Sequence, residues 1–367
     1  MYPAVRGKSA VALLGVLLLL LSGTPAAAAV TPGLVLTSAV ATLPAELSGL
    51  ATAKRITYVT TAVDGATITA TGLVLTPKNG RTNRTVVWGH GTTGLADKCA
   101  PSTNQSVFWP EARAAIAALL ARGWTVTAPD YPGLGTLAPH PYLIGATAAR
   151  SMIDSVKAAR RLDAALTAQY VVDGHSQGGQ GALFAGELAP AYDGALDLRG
   201  VAAIAPVSNA DLFAPLVPGT PGQGYLVMGL FGLQAVDPGV NATALLANPA
   251  KLRLPVLLSG CLYEILDAYA NLTPQQLLAG GALPDTVVAK LAQHVNPGQS
   301  PPSAPILLIQ GTADESVPYD LTAGALVPEL DAYDQPMLFV PVEGANPDSA
   351  VTETTGLVAD WIATRFA

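Results

Sequence analysis

Gly174-His175-Ser176-Gln177-Gly178 is a G-x-S-x-G pentapeptide. An apolar, β-branched run, Tyr170-Val171-Val172, precedes it, and a helix-compatible stretch from Gln180 to Leu188 follows. Strand, sharp turn and helix in that order hold a serine hydroxyl at the top of a sheet. The glycines let the backbone bend without Cβ clashes, and the helix N-terminus behind the serine favours developing negative charge. Ser176 is therefore the candidate nucleophile of an acyl-transfer reaction. Gln310-Gly311-Thr312-Ala313-Asp314-Glu315-Ser316-Val317-Pro318 places a carboxylate at the end of a later apolar run. Asp314 suits the chain order Ser…Asp…His, in which the acid holds an imidazole in the right tautomer and stabilises its charged form. Glu315 is the weaker competitor. Gly89-His90-Gly91, closing another apolar run, is a second candidate source of oxyanion donors.

The elements that must position these residues follow from periodicity. Residues 55–60 and 67–75 are two alternating β-branched runs separated by Asp64-Gly65, which predicts a hairpin. Short apolar runs at 85–88, 124–128, 170–172, 201–205, 306–309 and 337–340 then alternate with helical stretches, the pattern of βα units and a mostly parallel central sheet. Met152, Ile153, Val156, Ala159 and Leu162 recur at helical spacing, as do Leu357, Trp361 and Ile362 near the C-terminus. From 209 to 302 no strand pattern occurs and the chain reads as helical, Pro-rich and Gly-rich, too long for a simple connection. It is expected to form an inserted helical cap over the sheet's C-terminal edge, where open α/β sheets bind ligands. The fold class is α/β, with residues 30–208 and 303–367 as the two parts of one core.

Four segments together resemble the secreted lipases of the lipase-A type, found in fungi and actinobacteria. They are the pentapeptide, Ala128-Pro129-Asp130-Tyr131-Pro132-Gly133-Leu134-Gly135, His140-Pro141-Tyr142-Leu143 and Gly311-Thr312-Ala313-Asp314. The resemblance covers nearly all of the chain after its N-terminal leader. It implies an α/β-hydrolase fold and the hydrolysis of carboxylic esters of lipids, of the triacylglycerol lipase type, through an acyl-enzyme on Ser176. It also implies an oxyanion hole made by Asp130 and the backbone N–H of Gln177. The family's histidine belongs to the loop after the last strand, here Pro341 to Ser349, where Asn346 or Pro347 fills its slot. No histidine follows His294. Neither Asn346 nor Pro347 accepts the serine proton as imidazole does. Of the remaining histidines, His175 and His140 read as packing residues and His294 as a surface residue. His90 is the best stand-in base, and Asp348 acting through a water is the other. The expectation is a hydrolase of impaired turnover, with two alternatives: a non-catalytic relative that keeps a lipid-binding cleft, and a secreted peptidase on the same fold.

The rest of the chain bounds partners and compartment. Arg6 and Lys8 precede an unbroken apolar run from Ala10 to Leu21, and Pro25 to Ala29 offers small residues for cleavage, so residues 1–29 read as a signal peptide. Removing those two cations from a chain of net charge −7 takes it to −9 and predicts an acidic, secreted protein. The acidic balance, with no basic run longer than Arg160-Arg161, argues against nucleic acid as a partner. In an oxidising compartment Cys99 and Cys261, the only cysteines of 367 residues, are expected to pair. Two cysteines and four scattered histidines offer no metal-ligand spacing, so no metal or other cofactor is expected. Sequons occur at Asn83, Asn104, Asn241 and Asn271.

Overall fold

The computed structural model describes residue 3 and residues 31–367; the signal peptide expected at 1–29 lies outside the described residues apart from residue 3. Nine strands form one sheet: β1 (Val35–Ala41), β2 (Ala51–Thr61), β3 (Thr67–Pro77), β4 (Thr85–Gly89), β5 (Thr125–Pro129), β6 (Gln169–His175), β7 (Asp197–Ile204), β8 (Ile306–Gly311) and β9 (Met337–Val342). Their spatial order is β1-β2-β3-β5-β4-β6-β7-β8-β9. β1 to β3 run antiparallel to their neighbours, and β4 through β9 form the parallel part. The hairpin turns where expected: Gly65 has φ +87° and Ala66 N–H donates to the Asp64 side chain at 2.9 Å. β1 was not anticipated. Nearly all its side chains are exposed, so it lacks the apolar alternation that marks a strand, and its pairing with β2 holds it instead.

Seven α-helices of eight residues or more occur among the described residues. They are α1 (Pro110–Ala121), α2 (Gly145–Leu162), α3 (Gln177–Tyr192), α4 (Gln223–Val236), α5 (Leu262–Tyr269), α6 (Asp285–Val295) and α7 (Pro347–Arg365). Alternation along the parallel strands feeds two apolar layers. Val86 and Trp88 pack with Ile116 and Leu119 of α1 and Val351 and Val358 of α7. On the opposite face Val87 and Val172 pack with Met152 and Ile153 of α2 and Leu183 of α3. Helices on both faces leave only the strand ends open, which is where a ligand can approach a doubly covered sheet.

Between β7 and β8 the chain is helical, and its one β-bridge joins Leu246 to Leu278. This segment has a core of its own, including Leu226, Leu230, Leu233, Ile265 and Tyr269, which also takes in Tyr142 and Ile144. It is tied to the loop after β4 by the Cys99–Cys261 disulfide, the pairing expected from the sequence, and by Leu262 N–H donating to Thr93 O at 2.8 Å. No helix among the described residues is long and apolar enough to cross a membrane.

Candidate active site

Ser176 is the single residue between β6 and α3, at φ +54° and ψ −115°. For a residue with a Cβ this conformation costs of order 1–3 kcal/mol, and it is held by the surroundings rather than by local preference. Ser176 N–H donates to Ile204 O of β7 at 2.9 Å, and its carbonyl accepts Gln180 N–H at 3.0 Å. The glycines of the pentapeptide are required by close approach. A Cβ on Gly178 would sit 2.0 Å from Gly89 O, and one on Gly174 would sit 2.3 Å from Gly178 O. β4, β6 and α3 thus meet backbone to backbone, which leaves Ser176 half-buried with a hydroxyl that makes no hydrogen bond among the described residues. Gln177 opens α3, so its N–H is one of the helix's unpartnered donors.

The turn after β4 lies against this elbow. A Cβ on Gly91 would stand 3.7 Å from Ser176 Cβ. The carbonyls of this turn are held by neighbours: His90 O accepts the Tyr131 hydroxyl at 2.9 Å, Thr92 O accepts Trp109 Nε1–H at 3.2 Å, and Thr93 O accepts Leu262 N–H. The backbone N–H groups of Gly91, Thr92 and Thr93 donate to nothing among the described residues. With the carbonyls fixed elsewhere, the turn's donors stay unengaged, and Gly91 is the residue of the three that borders the serine.

Asp130 has a different set of bonds from the one expected. Its N–H donates to Thr71 O at 2.8 Å. Its carboxylate accepts from Ser102 N–H at 2.9 Å, the Ser102 hydroxyl at 2.5 Å and the Thr71 hydroxyl at 2.7 Å. The oxyanion role expected of Asp130 does not fit this: its one backbone donor is already engaged, and its side chain only accepts. It clamps the loop carrying Ser102 to β3.

Asp314 follows β8 and is 7% exposed. One oxygen accepts the N–H groups of Ser316 and Val317, both at 2.8 Å, and the other accepts Gln310 Nε2–H at 2.8 Å. Burial raises its pKa, and those three donors oppose the rise. Tyr225 of α4 is pushed up to about 12, mainly by burial, and its hydroxyl lies in the field of both Asp348 and Asp314. In the slot expected for the histidine, Asn346 caps α7 through Ser349 N–H at 2.8 Å and Pro347 fills the first helical position. Asp348 follows, exposed, its pKa raised by partial burial of the carboxyl.

The four histidines are accounted for as follows. His90 is buried, lies against Tyr131 with ring centroids 4.5 Å apart and the rings tilted by 33°, and bonds Gly91 O at 2.6 Å; burial lowers its pKa. Its Nε2 lies 3.4 Å from Asp130 O, so both ring nitrogens face backbone carbonyls and neither is bonded to the Ser176 hydroxyl. His140 donates from Nδ1 to Pro132 O at 2.7 Å, which leaves Nε2 to accept Gln177 Nε2–H at 3.1 Å. Burial lowers its pKa to about 4, so it is a neutral prop under Gln177. His294 is half-buried in α6. His175 is 4% exposed, its pKa lowered to about 4 by burial, and both ring nitrogens lack a partner among the described residues. A ring nitrogen of His175 and a carboxylate oxygen from each of Glu111 and Asp348 lie within 4.8 Å of one another. Glu111, in the first turn of α1, is pushed up to about 7 by burial, with a further contribution from the Asp348 charge. Sequence reasoning missed Glu111, because its neighbours 175 and 348 are remote in the chain; an acid in the Ala- and Leu-rich stretch 110–121, where Arg113 is the only other charge, was the one signal available.

The model of the secretory lipase family matches residues 100–367. The chain belongs to the secretory lipase family. Two secreted triacylglycerol lipases of Malassezia globosa are 26% identical over 79% of this chain and 28% identical over 72% of it. This family member spans 66% and 61% of their respective lengths. Among solved structures, Candida antarctica lipase A in its closed state superposes with a TM-score of 0.77 at 20% identity, covering 92% of this chain and 82% of that one. The rice cell-wall-degrading esterase of Xanthomonas oryzae gives 0.73 at 21% identity, covering 91% of this chain and 99% of that one. These likenesses establish the α/β-hydrolase fold expected from the sequence.

Proposed function

We propose that this secretory lipase family member is an exported serine hydrolase of lipid-like carboxylic esters, with Ser176 as its nucleophile. The observation that carries this reading is the strained elbow at φ +54°, which presents an unbonded hydroxyl at a helix N-terminus. Ser176 Oγ attacks the acyl carbon while its proton passes to a base. The carbonyl oxygen becomes an oxyanion facing Gln177 N–H and an N–H of the Gly91–Thr93 turn, donors that act on the charge as it develops. The alcohol leaves with a proton, and water then releases the acid from the serine. Asp314 is the triad acid in this scheme. The leader at 1–29 directs export, and the helical segment 209–302, with Tyr225 facing the acids, forms a cap over the cleft.

The histidine slot sets the rate. Asn346 and Pro347 carry no base, and in a serine protease removal of the histidine alone costs about 10⁶ in kcat. A second reading, a ligand-binding relative without turnover, rests on this and on Asp314, whose oxygens already accept three bonds from its own loop and strand. Labelling with a fluorophosphonate probe tests both. Rapid labelling that disappears in Ser176→Ala supports the hydrolase, and no labelling of a folded protein supports the binding reading.

A further inference from the structure

We propose that Glu111, His175 and Asp348 form a binding site for a divalent transition-metal cation of the zinc class. The inference goes beyond ester hydrolysis and stands whether or not Ser176 is acylated. The fold converges three remote residues: Glu111 from the first turn of α1, His175 from the end of β6 and Asp348 from the first turn of α7. Their ligating atoms lie within 4.8 Å of one another. A tetrahedral shell with bonds of about 2.0–2.2 Å sets its ligand atoms roughly 3.4 Å apart, so a closure of at most about 1.4 Å completes the set. Asp348 is exposed and can supply that movement, and its exposure also gives an ion a path in from solvent.

The independent pointer to a ligand is His175. It is 4% exposed, yet neither ring nitrogen has a hydrogen-bond partner among the described residues, and one nitrogen is directed at the two carboxylates. Buried polar atoms are nearly always satisfied, and an orphaned imidazole beside two acids is satisfied by a cation that all three can share. Glu111 is buried too, at 6% exposed, and Trp109, two residues before it, is fixed by its bond to Thr92 O. One imidazole with two carboxylates selects zinc or its first-row neighbours over magnesium and calcium, which prefer all-oxygen shells. Three protein ligands leave a further position open toward the solvent side.

The test uses the full secreted chain, stripped with a chelator and dialysed, and reads binding rather than hydrolysis. Titration calorimetry with zinc sulfate should show one site per chain, and saturating zinc should raise Tm by about 3 °C or more. Glu111→Gln and Asp348→Asn should each weaken zinc by roughly 100-fold while leaving the far-UV circular dichroism unchanged; magnesium chloride should give no comparable shift. The proposal is overturned if the wild-type chain takes up no zinc at micromolar concentration. It is overturned equally if both variants bind as the wild type does, or if magnesium matches zinc, since the ion would then sit elsewhere or the acids would act as a general cation patch.

Discussion

Restoring an imidazole at the end of β9 probes the proposed chemistry most directly. Two positions are available. Asn346 caps α7 by accepting Ser349 N–H at 2.8 Å, so Asn346→His forfeits a cap worth about 1 kcal/mol. Pro347 stands at the first helical position, where an N–H would have no partner; Pro347→His gives up only a fixed φ, worth about 0.4–1 kcal/mol. Pro347→His is thus the milder change and leaves the helix start in place. A positioned general base contributes about 10²–10⁴-fold. In a short-chain aryl ester assay kcat should therefore rise by roughly 10²-fold or more, with KM little changed, because the imidazole acts only as the proton moves. The gain should vanish in the Ser176→Ala background, and the pH profile should acquire a limb near the ordinary histidine pKa of about 6.5. The reasoning fails if the unmodified chain already turns over at about 1–10³ s⁻¹, the range of ordinary enzymes. It fails as well if the gain from Pro347→His survives loss of the serine.

Other perturbations separate positioning from stability. Asp130→Ala removes an acceptor from three donors and should cost about 3 kcal/mol in chemical denaturation, while hydrolysis per folded molecule persists; lost hydrolysis at unchanged stability would restore its oxyanion role. Gly178→Ala drives a methyl to within 2.0 Å of Gly89 O, so the elbow must open, and both Tm and fluorophosphonate labelling should drop. Cys99→Ser with Cys261→Ser releases a closure across 162 residues, for which chain entropy gives a ceiling of about 5 kcal/mol; equal stability with and without reductant would show that the loop after β4 is held by packing alone. Glu187, raised to about 7 by burial, favours folding when protonated. Its contribution is full below the unfolded pKa of about 4.5 and is lost as pH rises through about 7, so Glu187→Gln should gain up to roughly 3 kcal/mol over wild type between pH 5 and pH 8. A constant difference across that range would refute the assignment.

Much of this protein is legible along the chain because its signals are local. Two alternating runs and six short apolar runs marked eight of the strands, since a half-buried strand alternates and a strand buried on both faces must be apolar throughout, and the pentapeptide between β6 and α3 needs only its own glycines to announce a bend. β1 escaped because an exposed edge strand owes its place to its partner's hydrogen bonds and carries no apolar pattern. The oxyanion role of Asp130 is what the family resemblance implies, and only the approach of Thr71 and Ser102 reveals that its N–H and oxygens are already engaged. Likewise His140 is an ordinary loop histidine until folding sets Pro132 on one nitrogen and Gln177 on the other.

What the sequence determined by itself is eight of the nine strands, the elbow and the want of an imidazole after Asp314, all properties of consecutive residues. Tertiary structure alone decided which donors stand free beside Ser176 and which acids meet His175. Residues 111, 175 and 348 share no spacing that a linear reading can recognise. They converge because β6 ends, and α1 and α7 begin, at the same rim of the sheet, and convergence of strand and helix termini is a property of packing in three dimensions.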